Sequence, residues 1–292
     1  MKKLILAVLV LAFCSVCWGE TPDSASVNRQ PKPAALAQND AAQAAPNSPS
    51  SPAACAFTFT SGAGDTFLKY CVTANGNVTE FQTPEGHEHI AVGAIGEGYS
   101  VCDFAFKPVQ YFDYAEFGDS GNWGPAMVVS QNAKSVKIAR TTSDGIWTLT
   151  QTFTQIAGSA PSVKIDMALK NNSDIAREAY LMRYADADAD GSEINDMYTT
   201  ANSAFAWNLR DPRTRSGFGL VLQGSPFTPD PRSGPFPMIL FAGDGSDGAP
   251  CDPFPRAITE LDPNDFLAFG MLYDIVVPAG RTKSVTVSYK GL

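Results

Sequence analysis

The chain has 292 residues, of which 44% are hydrophobic, and a formal net charge of −9, so it is long enough to bury a sizeable core. Its acidic balance excludes nucleic acid as an expected partner, because a polyanion binder needs a basic face. After the N-terminal segment no apolar stretch reaches the roughly 20 residues that a membrane span needs, so we expect a mature form that does not span a membrane.

The N-terminal segment has the layout of a secretory signal peptide. A basic start, Lys2 and Lys3, precedes an apolar run at 4–13, and small residues flank the end of the segment. The alternative, a membrane anchor, is disfavoured because the apolar run is too short for a span. We therefore predict a signal peptide over 1–19, cleaved after Gly19, and a secreted or periplasmic protein.

The next segment, 20–54, predicts a disordered linker. It is rich in Ala, Pro, Ser, Asn and Gln, and it has no periodic apolar face. Such a composition buries too little apolar surface to offset the entropy of ordering the chain. We expect it to tether the domain that follows.

From Cys55 onward the pattern is that of a β protein. Short runs of β-branched and aromatic residues alternate with Gly, Pro, Asn and Asp, and the pairs Asn75-Gly76 and Asp144-Gly145 are strong hairpin signals. Apolar residues alternate along 162–170, as expected for a half-buried strand. We predict an all-β fold, a single large antiparallel β-sandwich over 55–292.

Four cysteines remain after the signal segment, and they predict two disulfides. Scattered cysteines in an exported chain favour disulfides over zinc, which needs closely spaced ligands. Two of the four lie symmetrically about 62–64, as cross-strand neighbours in a hairpin would. Three pairings are open, and we favour Cys55–Cys71 with Cys102–Cys251.

The run from Thr148 to Tyr184 has a recognisable order of elements. A hairpin leads to a long alternating strand that ends in 170–174, and the next strand ends in a charged residue and a tyrosine. This order resembles the centre of galactose mutarotase-like supersandwich proteins, in which a strand ending in Asn precedes the strand with a catalytic His. The resemblance implies a supersandwich fold. It does not extend to mutarotase activity, because Arg183 stands where the family has the His, and no histidine follows His89.

An acidic run after this strand predicts a calcium site. Asp at alternate positions followed by Gly191 is the start of a calcium loop, although Met197 stands where an EF-hand has its Glu. Carboxylates brought together repel one another unless a cation offsets the repulsion. The alternative is a solvated acidic turn. The predicted ligands of calcium are Asp186, Asp188, Asp190, Ser192, Glu193 and Asp196.

Aromatic and acidic residues are interleaved over 110–123, which predicts a sugar-binding site. Aromatic faces stack on pyranose rings, and carboxylates accept hydrogen bonds from hydroxyl groups. A pair such as Asp113 and Glu116 also has the chemistry of a glycosidase acid and base. The alternative is that the aromatic residues fill the sandwich core. The candidate ligand-binding residues are Tyr111, Asp113, Tyr114, Glu116 and Trp123.

The segment His87-Glu88-His89 contains the only two histidines of the chain. On a strand both imidazoles point to one face, where they can bind a transition metal. The preceding proline and glycine favour a loop end instead, and the sequence offers no third ligand.

These features favour one function over two others. The leading hypothesis is a secreted, non-catalytic protein that binds a carbohydrate or a surface polymer and holds a structural calcium ion. The first alternative is a carbohydrate-active enzyme, of the glycosidase or epimerase kind, on a supersandwich fold. The second alternative is a structural envelope protein.

Overall fold

The computed structural model describes residues 54–90, 97–115, 118–192, 195–211, 216–228, 230–241, 250–253 and 267–292. The predicted signal peptide and nearly all of the predicted linker lie outside these residues. The strands are, in chain order, β1 (Cys55–Ser61), β2 (Leu68–Thr73), β3 (Val78–Gln82), β4 (Glu97–Asp103), β5 (Val109–Tyr114), β6 (Gly118–Asp119), β7 (Met127–Asn132), β8 (Ser135–Thr141), β9 (Trp147–Ile156), β10 (Ser162–Asn171), β11 (Arg177–Asp186), β12 (Asp196–Thr199), β13 (Ser203–Asp211), β14 (Ser216–Gly224), β15 (Phe236–Phe241), β16 (Leu267–Val277) and β17 (Thr282–Gly291).

The strands form three antiparallel sheets. One has three strands in the order β1-β2-β3, and one has six in the order β15-β16-β11-β4-β5-β6. The largest has eight, in the order β12-β13-β14-β17-β10-β9-β8-β7. Single 3-10 turns at Gly64–Thr66, Ala189–Gly191 and Pro231–Ser233 are the helical segments of the described part, and none is long and apolar enough to cross a membrane.

Both predicted hairpins are present. Asn75-Gly76 joins β2 to β3, and Asp144-Gly145 joins β8 to β9. Each glycine has a positive φ, 93° at Gly76 and 76° at Gly145, which only glycine adopts without steric cost. The prediction of an all-β, antiparallel sandwich-like protein is confirmed.

Alternation along the strands places one large core between the sheets. In β9 the residues Trp147, Leu149 and Phe153 are buried, while the threonines between them are partly exposed. The main apolar cluster includes residues of all three sheets, so the small sheet belongs to the same core. A second cluster, with Tyr114 and Tyr184, packs on the other face of the six-stranded sheet.

Two disulfides close the fold as predicted. Cys55 bonds to Cys71 within the β1–β2 hairpin, and Cys102 of β4 bonds to Cys251 across 149 residues of chain. Disulfides are typical of proteins that fold in an oxidising, extracytoplasmic compartment.

Candidate functional site

The residues predicted to bind sugar lie in the interior. Tyr111, Tyr114 and Trp123 are buried, and the Tyr111 hydroxyl donates a hydrogen bond to Asp144 Oδ2 at 2.6 Å. Other protein groups cover these rings, as expected if the aromatic residues of 110–123 fill the sandwich core. Glu116 lies outside the described residues.

Asp113 is a structural ion rather than an accessible acid. It is fully buried and paired with the Arg140 guanidinium, which also donates to Asp119 Oδ2 at 2.9 Å. The side-chain amides of Asn75 and Asn77 donate to its two oxygens at 2.9 and 3.1 Å. With both of its oxygens hydrogen-bonded, this carboxylate is held in place beside a buried arginine.

Arg183, at the position that the mutarotase-like resemblance assigns to a histidine, points into the core. It is fully buried, pairs with Glu97, and donates to Gln151 Oε1 at 2.6 Å. Glu97 also accepts from the Tyr289 hydroxyl at 2.8 Å. Burial raises the pKa of Glu97 to about 7, although the arginine beside it lowers that pKa. This cluster therefore ties β4, β11 and β17 together.

The predicted calcium loop is closed by hydrogen bonds and a histidine. Asn195 donates to the carbonyl oxygens of Ala187 and Ser192, both at 2.8 Å. Asp190, with φ 56°, places its Oδ1 2.7 Å from His87 Nδ1. Among the described residues no three His, Cys, Asp or Glu side chains form a group that can hold a metal. Glu193 lies outside those residues, and the calcium site stays a prediction.

The two histidines do not act as a pair. His89 Nε2 lies 2.6 Å from the Thr83 carbonyl oxygen, and its Nδ1 accepts from the Asp190 amide at 3.1 Å. Burial lowers the pKa of His89, which favours the neutral ring that this pattern requires. His87 is 21% exposed at its side chain and stacks on Phe218 with ring centroids 3.6 Å apart. The two imidazoles thus brace the β3–β4 loop against the acidic loop.

A different set of aromatic side chains reaches the surface, at the β12–β13 edge of the eight-stranded sheet. Tyr198 is 47% exposed, and its ring stacks on Phe205 with centroids 4.4 Å apart and planes 6° from parallel. Trp207 lies two residues further along the same face of β13 and is partly exposed. We call Tyr198, Phe205 and Trp207 the aromatic platform.

Two glycines of β14 let the Trp207 ring lie against the sheet. Gly219 is the cross-strand partner of Trp207, and a Cβ there would be 2.7 Å from Trp207 Cε3. A Cβ at Gly217 would be 3.1 Å from Trp207 Nε1. Because both neighbouring positions lack side chains, the partly exposed indole packs closely against β14.

Polar side chains border the platform on the same face. Asp196 is paired with Trp207 across β12 and β13. Beyond the platform, Lys290 of β17 donates to Gln223 Oε1 of β14 at 2.6 Å. The arrangement combines flat apolar rings with fixed hydrogen-bonding groups, as carbohydrate recognition requires.

The comparisons with solved structures support the fold. A bacterial glucoamylase complexed with acarbose aligns with this chain at a TM-score of 0.52 and 10% identity. The alignment covers 84% of this chain and 32% of the glucoamylase chain. The chain thus spans about a third of the glucoamylase. An Escherichia coli K12 protein named as a candidate aldose 1-epimerase aligns over 81% and 99% of the two chains, at 12% identity and a TM-score of 0.47. No protein-family model and no curated protein sequence matches the chain.

At such identities the alignments concern the fold alone. The glucoamylase alignment agrees with the supersandwich resemblance drawn from the central strands, and the epimerase score is too low to add an argument. That resemblance is confirmed at the level of the fold.

Proposed function

We propose that this protein binds carbohydrate without transforming it, through the aromatic platform on the outer face of the eight-stranded sheet. The observation that carries the proposal is the stack of the exposed Tyr198 ring on Phe205, beside a partly exposed Trp207 ring that packs against two glycines. The apolar C–H face of a pyranose packs on such rings and gains dispersion and hydrophobic energy. Asp196, Gln223 and Lys290 then supply hydrogen bonds to the hydroxyl groups.

The shape of the surface favours binding over catalysis. The platform lies on a sheet face, where a polymer can lie lengthwise without its ends entering a closed cavity. Asp113, the described carboxylate of the sugar-site prediction, is buried and paired with Arg140, so it is not placed to act on a glycosidic bond. Few conformational changes are needed, because the rings are already stacked in the free protein.

Affinity electrophoresis tests the proposal directly. The mature protein is run in native gels that contain xylan, dextran, hydroxyethyl cellulose or polygalacturonate. We expect at least one polymer to retard the wild type, and Trp207→Ala and Tyr198→Ala to weaken binding by about tenfold or more, which is the size expected for a central aromatic contact.

The matched control is Phe106→Ala, which removes an aromatic side chain that is 83% exposed in the β4–β5 loop, away from the platform. It should leave retardation unchanged. Retardation that is equal in the wild type and in both platform variants, or absent with every polymer, contradicts the proposal.

A second candidate function, catalysis on carbohydrate, is favoured by one observation. Asp190 is nearly buried and holds His87 Nδ1 at 2.7 Å, an arrangement that orients an imidazole for general acid–base work. Product analysis after incubation with the bound polymer distinguishes the two functions. Products that disappear in His87→Asn support catalysis, and an unchanged polymer supports binding alone.

The compartment and the cation remain proposals as well. We infer a secreted or periplasmic protein from the signal-like N-terminus together with the two disulfides. Calcium at the acidic loop is not required by the platform. A rise in melting temperature on adding calcium, lost in Asp188→Ala, is the result that would support it.

A further inference from the structure

The outer face of the eight-stranded sheet carries lysines beyond the platform. Cross-strand register places four of them on the side that faces away from the core. The buried residues between them, such as Val163, Ile165 and Val287, fix this orientation. The four are Lys137 of β8, Lys164 and Lys170 of β10, and Lys290 of β17.

This face is positive although the chain is acidic, with a formal net charge of −9. On the same face the described acidic side chains are Asp166 and Asp196. Asp166 pairs with Lys164 at 2.8 Å and also accepts from the Thr286 hydroxyl at 2.7 Å. Lys137 has no acidic partner among the described residues. The excess of lysines is therefore local and differs in sign from the molecule as a whole.

The lysines extend the platform in one direction. Lys290 shares a cross-strand row with Val221 and Phe205, and Lys164 and Lys137 follow on strands further from the platform. From Phe205 on β13 to Lys137 on β8 there are five strand intervals, about 24 Å at the usual spacing. Partly exposed threonines of β9 lie between the lysines of β10 and β8.

We propose that the ligand of this face is an anionic polysaccharide. This inference rests on the proposed function and adds to it the charge of the polymer. One sugar of the polysaccharide stacks on Trp207 and Tyr198. Acidic groups further along the polysaccharide pair with Lys290, Lys164 and Lys137. The lysines act at short range, because salt screens charges beyond about 8 Å at physiological ionic strength. The remaining acidic surface then repels polyanions that do not engage the platform.

A pair of polymers that differ only in charge tests the inference. Polygalacturonate and its fully methyl-esterified form share one backbone, and dextran sulfate with dextran provides the same comparison for sulfate. In affinity gels we expect the wild type to bind at least one charged polymer at least tenfold more tightly than its neutral partner. We expect that preference to fall as salt is raised.

The variants locate the preference on this face. Lys137→Gln combined with Lys290→Gln should reduce the preference for the charged polymer by at least fivefold, while Lys69→Gln, which removes a lysine of β2 outside this face, should leave it unchanged. Circular dichroism melting checks that all variants fold.

The outcomes separate this inference from the proposed function. Equal affinity for the charged and neutral forms, with loss of both in Trp207→Ala, overturns the inference and leaves carbohydrate binding intact. Binding of a charged polymer that survives Trp207→Ala overturns the inference, since the polymer would then bind to charged groups away from the platform. No binding to any of the four polymers overturns the inference, and it overturns the proposed function as well if xylan and hydroxyethyl cellulose also fail to retard the protein.

Discussion

Single buried ions decide how the interior of this sandwich is held together. Arg140 is almost wholly buried, pairs with Asp113 and Asp119, and lies with its guanidinium carbon 5.6 Å from the centre of the Trp123 ring. Losing one member of such a cluster leaves a charge in a medium of low dielectric constant, which costs far more than the loss of an exposed pair. The same residue types on the surface contribute little.

Replacing Arg140 with Met should therefore lower the free energy of unfolding by about 3–5 kcal/mol. Its control, Lys69→Met, breaks the partly exposed pair with Glu80 and should cost less than about 1 kcal/mol. Urea denaturation followed by fluorescence gives both values. Equal losses in the two variants would show that burial of the Arg140 cluster has no energetic role.

The buried carboxyl group of Glu97 leads to a prediction about how the stability of the fold depends on pH. Burial raises its pKa in the folded protein to about 7, from 4.5 in the unfolded chain. Between these values the folded state binds more protons than the unfolded state, so the contribution of Glu97 to stability is present at low pH and falls as pH rises to about 7. Wild type should therefore lose stability relative to Glu97→Gln between pH 4.5 and 7. A difference between the two proteins that is constant over this range contradicts the prediction.

At the scale of elements, the longer disulfide should stabilise the fold more than the shorter one. Cys102 and Cys251 are 149 residues apart, against 16 for Cys55 and Cys71. In the chain-entropy model, removing the long cross-link by double Ala substitution costs about 5 kcal/mol, and removing the short one costs about 3 kcal/mol. Urea unfolding of the two double variants measures both. The opposite order would mean that local packing, not loop closure, sets these contributions.

Elements with local signals could be predicted from the sequence, and those without could not. Asn75-Gly76 and Asp144-Gly145 define their hairpins within a few residues, and cysteine spacing favoured the correct disulfides. The role of the 110–123 segment was not predictable, because an aromatic residue looks the same in a core and at a sugar site. Which face of a strand is buried depends on register, and register depends on partners far away in the chain.

The aromatic platform shows the same limit at the candidate site. Phe205 and Trp207 alternate with small residues, which is the usual pattern of a core strand. Their exposure depends on how the strands pair. The sheet ends at β12, and β14 places Gly217 and Gly219 beside the indole. The alternation of glycine in β14 was the one signal in the sequence, and it has a meaning only once β13 and β14 are known to be neighbours.

For the whole molecule, the structure joins a supersandwich fold to a platform on its largest sheet. The core between the sheets holds the platform rigid, because Ala204, Ala206, Leu220 and Leu222 anchor the edge strands from the buried side. Rings that are fixed before the ligand arrives lose little conformational entropy on binding. The proposed carbohydrate binding therefore depends on edge strands that the core holds in place on one face and that leave the platform exposed on the other.

Fluorescence of Trp207 tests the central claim most directly. Of the four tryptophans, Trp18 belongs to the predicted signal peptide, and Trp123 and Trp147 are buried. Acrylamide should therefore quench mainly Trp207 in the mature protein. We predict that a bound polysaccharide protects this fluorescence from acrylamide and that Trp207→Phe abolishes the protection. Quenching that no polysaccharide alters, or protection that persists in Trp207→Phe, would contradict carbohydrate binding at the platform.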